Sequence, residues 1–129
     1  MKLIFKPGDV KVYLKKVTTR DVAAFHGEML HPVYSTFALA RDFEWSSRLF
    51  FLEMKEDDEE GVGTFLQIAH QSPAMVDEMV TITATVESIN GNELICIIEA
   101  RSGDRIIATG KTGQKMLKME KLKRLFGHG

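Results

Sequence analysis

The chain has 129 residues, 44% of them hydrophobic, with 17 Lys and Arg set against 18 Asp and Glu. That length suits one domain over residues 1–129 with a sizeable core, and the balanced charge argues against a phosphate-neutralising surface, so no nucleic-acid partner is expected. The single cysteine, Cys96, excludes an internal disulfide; the apolar run at the N-terminus is too short for a signal peptide, and none approaches the ~20 residues of a membrane span. The expectation is a soluble, cytoplasmic domain with no membrane partner.

In chain order, Val10, Val12 and Leu14 alternate with Lys11, Tyr13 and Lys15, the period of a half-buried strand over residues 10–17. Thr19 suits the N-cap of a short helix running to about His26, with Asp21 in its first turn. The next segment, GEMLHPVYS, contains Gly27 and Pro32 and reads as a loop; Met29, Leu30, Val33 and Tyr34 would let it cover a site.

Residues 36–54, TFALARDFEWSSRLFFLEM, predict the central element. At 100° per residue, Phe37, Ala40, Ser47 and Phe51 fall on one arc, and Leu39, Phe43 and Phe50 widen it. Ala38, Trp45, Leu49 and Leu52 make much of the other side apolar, so the helix should be buried. Glu44 falls within the apolar arc, and a buried carboxylate requires a partner or a raised pKa.

The acidic run EMKEDDEEG reads as a solvated loop. A strand over residues 62–71 ends at Ser72-Pro73. The clearest strand follows, where Val80, Ile82, Ala84 and Val86 alternate with Thr81, Thr83, Thr85 and Glu87. Asn90-Gly91 is a hairpin turn. Residues 93–101 are apolar enough through LICIIEA to suggest a strand covered on both faces. Ser102-Gly103-Asp104 turns into a last strand, and residues 118–126 suit a short basic helix. The fold class is α+β, an antiparallel sheet wrapped around one long central helix.

No metal is expected, because His26, His31, His70 and His128 share no ligand spacing and one cysteine cannot build a zinc site. No phosphate loop, GxGxxG or GxSxG motif is present. Singly, Thr36 reads as a helix cap, His70 as an ordinary histidine at a strand end, and Glu44 as a buried carboxylate paired with His or Arg. Together, a hydroxyl, a carboxylate and an imidazole make an acyl-transfer set.

This combination resembles the hotdog fold of acyl-CoA thioesterases, and within it the fluoroacetyl-CoA thioesterase family. The residues that carry the resemblance are Thr36 at the helix start, Glu44-Trp45 eight residues on, Gly63-Thr64 entering the next strand and His70 at its end. SPAMVDEMVTITATVESING and the ATGKTGQ region extend it over most of the chain. The resemblance implies hydrolysis of a small acyl-CoA to free acid and coenzyme A, with no cofactor beyond the coenzyme A of the substrate. It implies that Glu44 acts as nucleophile or as base for water, that His70 protonates the leaving thiolate, and that Thr36 hydrogen-bonds the carboxylate or the substrate. Phe37, through its backbone N–H, would help form an oxyanion hole, and Gly63, Thr64 and Gln114 would lie against the substrate. Gln114 stands where some relatives carry an Arg, and the segment from Gly27 to Ser35 lacks a Phe-rich lid, so selectivity for a fluorinated acyl group is not implied.

If the helix begins at Thr36, Glu44 lies ~12 Å along it, too far for both to touch one carbonyl carbon. Either the helix begins later or the start of one subunit's helix meets Glu44 of another; a homodimer or higher homo-oligomer is expected. Lys111, Lys115, Lys118, Lys121, Lys123 and Arg124 form a solvated basic face that could also meet coenzyme A phosphates. A non-catalytic acyl-CoA binding or sensing module is the alternative, needing the pocket but not Glu44 or His70. A hydratase or dehydratase would require a His-Asp pairing at the helix.

Overall fold

The computed structural model describes residues 1–25 and 28–127, apart from the side chains of residues 25, 29 and 30. His26, Gly27 and His128 lie outside the described residues, and with them half of the His26–His31 pair and the end of the helix expected after Thr19. Among the described residues, no helix is long and apolar enough to cross a membrane.

The period-two patterns organise the sheet. In β5 (Met79–Asn90) Val80, Ile82, Ala84 and Val86 are buried, and in β6 (Glu93–Ser102) Leu94, Cys96, Ile98 and Ala100 are buried. Their antiparallel register places Ile82 opposite Ala100 and Val86 opposite Cys96, so both sets share one face. Gly91 (φ 59°) and Gly103 (φ 58°) take the left-handed conformations that the two tight turns need. β7 (Arg105–Lys118) pairs with β6 and then with β4 (Glu59–His70), while β1 (Val10–Lys16) closes the opposite edge against β5. The sheet order is β1-β5-β6-β7-β4. On its inner face lies α1 (Thr36–Met54), with Leu39, Phe43, Phe50 and Met54 fully buried against the sheet.

Four expectations are corrected. First, Val10, Val12 and Leu14 of β1 face outward and are all more than half exposed. Register explains this: Lys11, Tyr13 and Lys15 stand opposite the inward Ala84, Ile82 and Val80. The lysine stems follow the inner face while their ammonium groups reach Glu53 and Asp21 at the sheet edge. Second, the residues after Thr19 form no helix. Asp21 folds back to accept from the Thr18 N–H at 2.8 Å, and β2 (Val22–Phe25) pairs with β3 (Glu28–Tyr34) in a separate two-stranded sheet. Third, the segment containing Pro32 is therefore largely strand and not loop, anchored where the Tyr34 N–H donates to the Ala74 carbonyl at 2.8 Å. Fourth, β6 is covered on one face only, with Ile97 exposed.

The acidic run is only partly solvated: Glu59 is buried and holds the N-terminal ammonium at 2.8 Å. The basic C-terminal segment is helical as α2 (Met119–Phe126).

Candidate active site

The start of α1 is built by a division of labour between adjacent hydroxyls. Ser35 is the N-cap, its Oγ accepting from the Ala38 N–H at 3.0 Å. Thr36 is therefore released from capping, and its Oγ1 lies 3.0 Å from His70 Nδ1. First-turn N–H groups lack intrahelical acceptors, and with Ala38 capped those of Thr36 and Phe37 remain as donors at the helix start. The Phe37 ring itself is 81% exposed.

His70 ends β4 opposite Ala108 of β7, on the face turned toward α1. Its Nε2 is buried and has no hydrogen-bond partner among the described residues. A buried imidazole nitrogen without a partner is uncommon in a native protein.

Glu44 is exposed, which corrects the expectation of a buried carboxylate. The buried arc of α1 runs through Leu39, Phe43, Ser46 and Phe50, and Glu44 lies beside it. Its side chain rests over β4, where a Cβ on Gly63 would overlap the Glu44 Oε1 position. Gly63 thus provides room for a carboxylate rather than a turn. The buried carboxylate of α1 is instead Asp42, 4% exposed.

Gln114, opposite Gly63 in β7, is 2% exposed. Its Nε2 donates to the Glu44 carbonyl at 3.1 Å and to Ser47 Oγ at 2.8 Å. The amide is engaged by the helix, so Gln114 acts on the site by holding the backbone of Glu44 and not by presenting its side chain to a ligand. Thr64 is the extra residue of a β-bulge between Gly63 and Phe65, and its hydroxyl lies beside Gly113.

The structure thus forms two pairs: Thr36 with His70, and Glu44 with Gly63. Within one chain the pairs stay apart, since the helix runs uninterrupted between Thr36 and Glu44 and separates them by ~12 Å.

Sequence reasoning missed a network beneath the helix start. Tyr34, fully buried, donates its hydroxyl to Asp42, and Arg41 binds Asp42 at 3.1 Å and Asp21 at 2.8 Å. Lys15 adds a contact to Asp21 at 3.1 Å. Burial works to raise the Asp21 pKa, but the donors from Arg41, Thr18 and Lys15 outweigh it and hold the carboxyl at about 2. Burial and the neighbouring Asp42 push the Tyr34 hydroxyl well above the usual tyrosine range, keeping it a donor. The adjacent Arg41-Asp42 is the one local signal, and its partners come from other elements: Lys15 of β1, Asp21 in the turn before β2 and Tyr34 of β3.

A cleft of about 580 Å³ opens at the helix start, lined by Thr36, Phe37 and Ala38 of α1 and by Val22, Ala23 and Ala24 of β2, with Arg20 and Arg41 also contributing.

Comparison with known proteins places this arrangement. The model of the fluoroacetyl-CoA-specific thioesterase family, FlK, matches residues 17–120. Among solved structures, a Thermus thermophilus hypothetical protein described as a thioesterase superfamily member is 29% identical, with a TM-score of 0.92 over 98% of this chain and 93% of that one. The fluoroacetyl-CoA thioesterase FlK is 20% identical, with a TM-score of 0.86 over 94% of each chain. A hot-dog-like protein from Thermanaerovibrio acidaminovorans is 22% identical, with a TM-score of 0.86 over 95% of this chain and 92% of that one. No curated protein matches this chain. With the sheet wrapped on one helix and the family match spanning most of its length, the chain is a hotdog-fold thioester hydrolase and belongs to the fluoroacetyl-CoA-specific thioesterase family.

Proposed function

We propose that this protein hydrolyses an acyl-CoA to the free acid and coenzyme A at sites built across a twofold dimer, each combining Thr36 and His70 of one subunit with Glu44 of the other. The observation that carries this reading is the Thr36–His70 contact, which leaves a buried and unpartnered Nε2 on His70. A non-catalytic sensor would have no need of that arrangement. FlK structures with coenzyme A and with acetyl-CoA support a coenzyme A thioester as the substrate class.

β4 is an outer strand of the sheet, and Phe65 and Leu66 near its middle are substantially exposed. A long apolar edge of this kind is a template for pairing with a second chain. Antiparallel pairing of two copies about an axis between Gly63 and His70 carries the Glu44 end of one strand toward the His70 end of the other.

In such a site Glu44 removes a proton from water as the water oxygen adds to the thioester carbonyl carbon. The N–H groups of Thr36 and Phe37 stabilise the oxyanion. Collapse breaks the C–S bond, the thiolate takes its proton from His70, oriented through Nδ1 by Thr36, and the proton that Glu44 took from water returns to the imidazole to close the cycle. The alternative route is a mixed anhydride formed by attack of the Glu44 carboxylate itself on the thioester carbonyl. Single-turnover hydrolysis in ¹⁸O-water tests this, since an anhydride opened by water at its Glu44 carbonyl leaves label on Glu44, which direct attack of water on the thioester never does.

The deciding measurement is thiol release from acyl-CoA substrates by the wild type, Glu44→Gln and His70→Ala. Loss of a positioned acid or base should lower kcat by ~10²- to 10⁴-fold in each variant. Substrate binding with no turnover by the wild type would transfer the assignment to a sensing module.

A further inference from the structure

Resting on the acyl-CoA hydrolase reading, we infer that the cleft between β2 and the start of α1 seats the acyl group, and that its preferred occupant is an apolar chain several carbons longer than acetyl.

The cleft adjoins the proposed chemistry directly, because Thr36 both lines it and meets His70. Much of its wall is apolar, formed by Val22, Ala23 and Ala24 of β2 and by Phe37 and Ala38 of α1, beside the polar Arg20, Ser35, Thr36 and Arg41. A volume of about 580 Å³ lies well inside the range of sites that enclose whole ligands and exceeds what a two-carbon group occupies. The alanines create this width, since each leaves space that a larger side chain would fill.

Two parts of an acyl-CoA could enter: the acyl chain or the pantetheine arm of the coenzyme. The arm carries two amides, and burying an amide without a partner is unfavourable. The polar side chains lining the cleft are already engaged. Ser35 caps Ala38, Thr36 meets His70, and Arg41 binds Asp21 and Asp42. Arg20 lines the cleft with no ion pair among the described residues, but its guanidinium only donates and leaves both amide N–H groups without an acceptor. An alkyl chain needs no such partners. The walls therefore match the acyl end of the substrate, and the expectation of a small acyl group narrows to one larger than acetyl.

The test measures kcat/KM for acetyl-, butanoyl- and hexanoyl-CoA with the wild type, Ala24→Phe and Ala23→Leu. For the wild type, kcat/KM should rise about fourfold for each methylene seated in the cleft. The substitutions should lower the hexanoyl-to-acetyl ratio tenfold or more. That ratio is taken within one sample, so it is insensitive to the fraction of folded variant, and Ala23→Leu repeats the test with a smaller side chain. A flat or falling series in the wild type overturns the assignment. So does an unchanged ratio with KM raised alike for all three substrates, the result expected if the pantetheine arm occupies the cleft. Absence of thiol release from every substrate would instead overturn the hydrolase reading on which the inference rests.

Discussion

Asp42 and Glu44 are two residues apart on one helix, yet their carboxylates meet opposite conditions. Asp42 is buried and bonded by Tyr34 and Arg41, whereas Glu44 is open to solvent beside Gly63. The buried pair Asp21 and Asp42, together with Arg41, Lys15 and Tyr34, joins β1, the turn before β2, β3 and the first two turns of α1. Because the folded Asp21 pKa, about 2, lies below the ordinary 3.8, this group stabilises the fold fully above pH 3.8 and loses that contribution as pH falls toward 2. The difference corresponds to about 2 kcal/mol. Denaturant unfolding of wild type and Asp21→Asn should show a stability gap that is constant at neutral pH and narrows by about that amount between pH 5 and pH 2. A gap independent of pH would show that Asp21 titrates normally in the folded chain. Of this network only the adjacent Arg41-Asp42 is legible at the residue scale. A helix apolar on nearly all sides does not reveal which polar residue faces inward, so Glu44 was assigned the burial that belongs to Asp42. The partners that decide the matter arrive from other elements.

Elements with a strict period were easier to read than those shaped by their neighbours. α1 and the β5–β7 meander follow from apolar spacing and from turn residues such as Asn90-Gly91. The β2–β3 hairpin does not, because a short segment with a good N-cap has a helical alternative, and here strand pairing and the Asp21 turn prevail. The outward face of β1 was hidden for a related reason: side-chain alternation gives a period but not a direction, and only the register with β5 supplies it. The pairing of α1 with β4 leads to a sharper prediction. A Cβ on Gly63 would overlap the end of the Glu44 side chain, a flexible group that can move without disturbing backbone. Gly63→Ala should therefore preserve the fold, with a thermal midpoint within a few degrees of the wild type, while displacing Glu44. A misplacement of about 1 Å at a catalytic group is worth ~10²-fold in rate, and kcat should fall by about that factor. Full activity in this variant would place the working position of Glu44 elsewhere. Gln114→Ala addresses the same helix from its buried side. Removing the Gln114 amide takes away two hydrogen bonds while Ser47 Oγ still donates to the Glu44 carbonyl at 2.9 Å, so the loss in unfolding free energy should be about 1–3 kcal/mol for the two bonds together, besides a lower kcat.

At the scale of the whole molecule, the two half-sites at opposite ends of the β4–α1 contact make the strongest claim. The Thr36–His70 pair and Glu44 are separated by about two turns of a rigid helix, and side-chain rotation does not close ~12 Å. In the proposed dimer, pairing through the partly exposed apolar edge of β4 brings them together in a second copy. If each site takes Glu44 from one subunit and His70 from the other, two inactive proteins should restore one another. Glu44→Gln and His70→Ala homodimers each lack a required group in both sites. A mixed dimer has one doubly defective site and one in which both groups are native. With subunits exchanged at random in equal amounts, half of the dimers are mixed, and thiol release should recover to about a quarter of the wild-type level. The dimer mass itself is checked by light scattering on the same samples. If the site were complete within a single chain, exchange would restore nothing, whatever the oligomeric state.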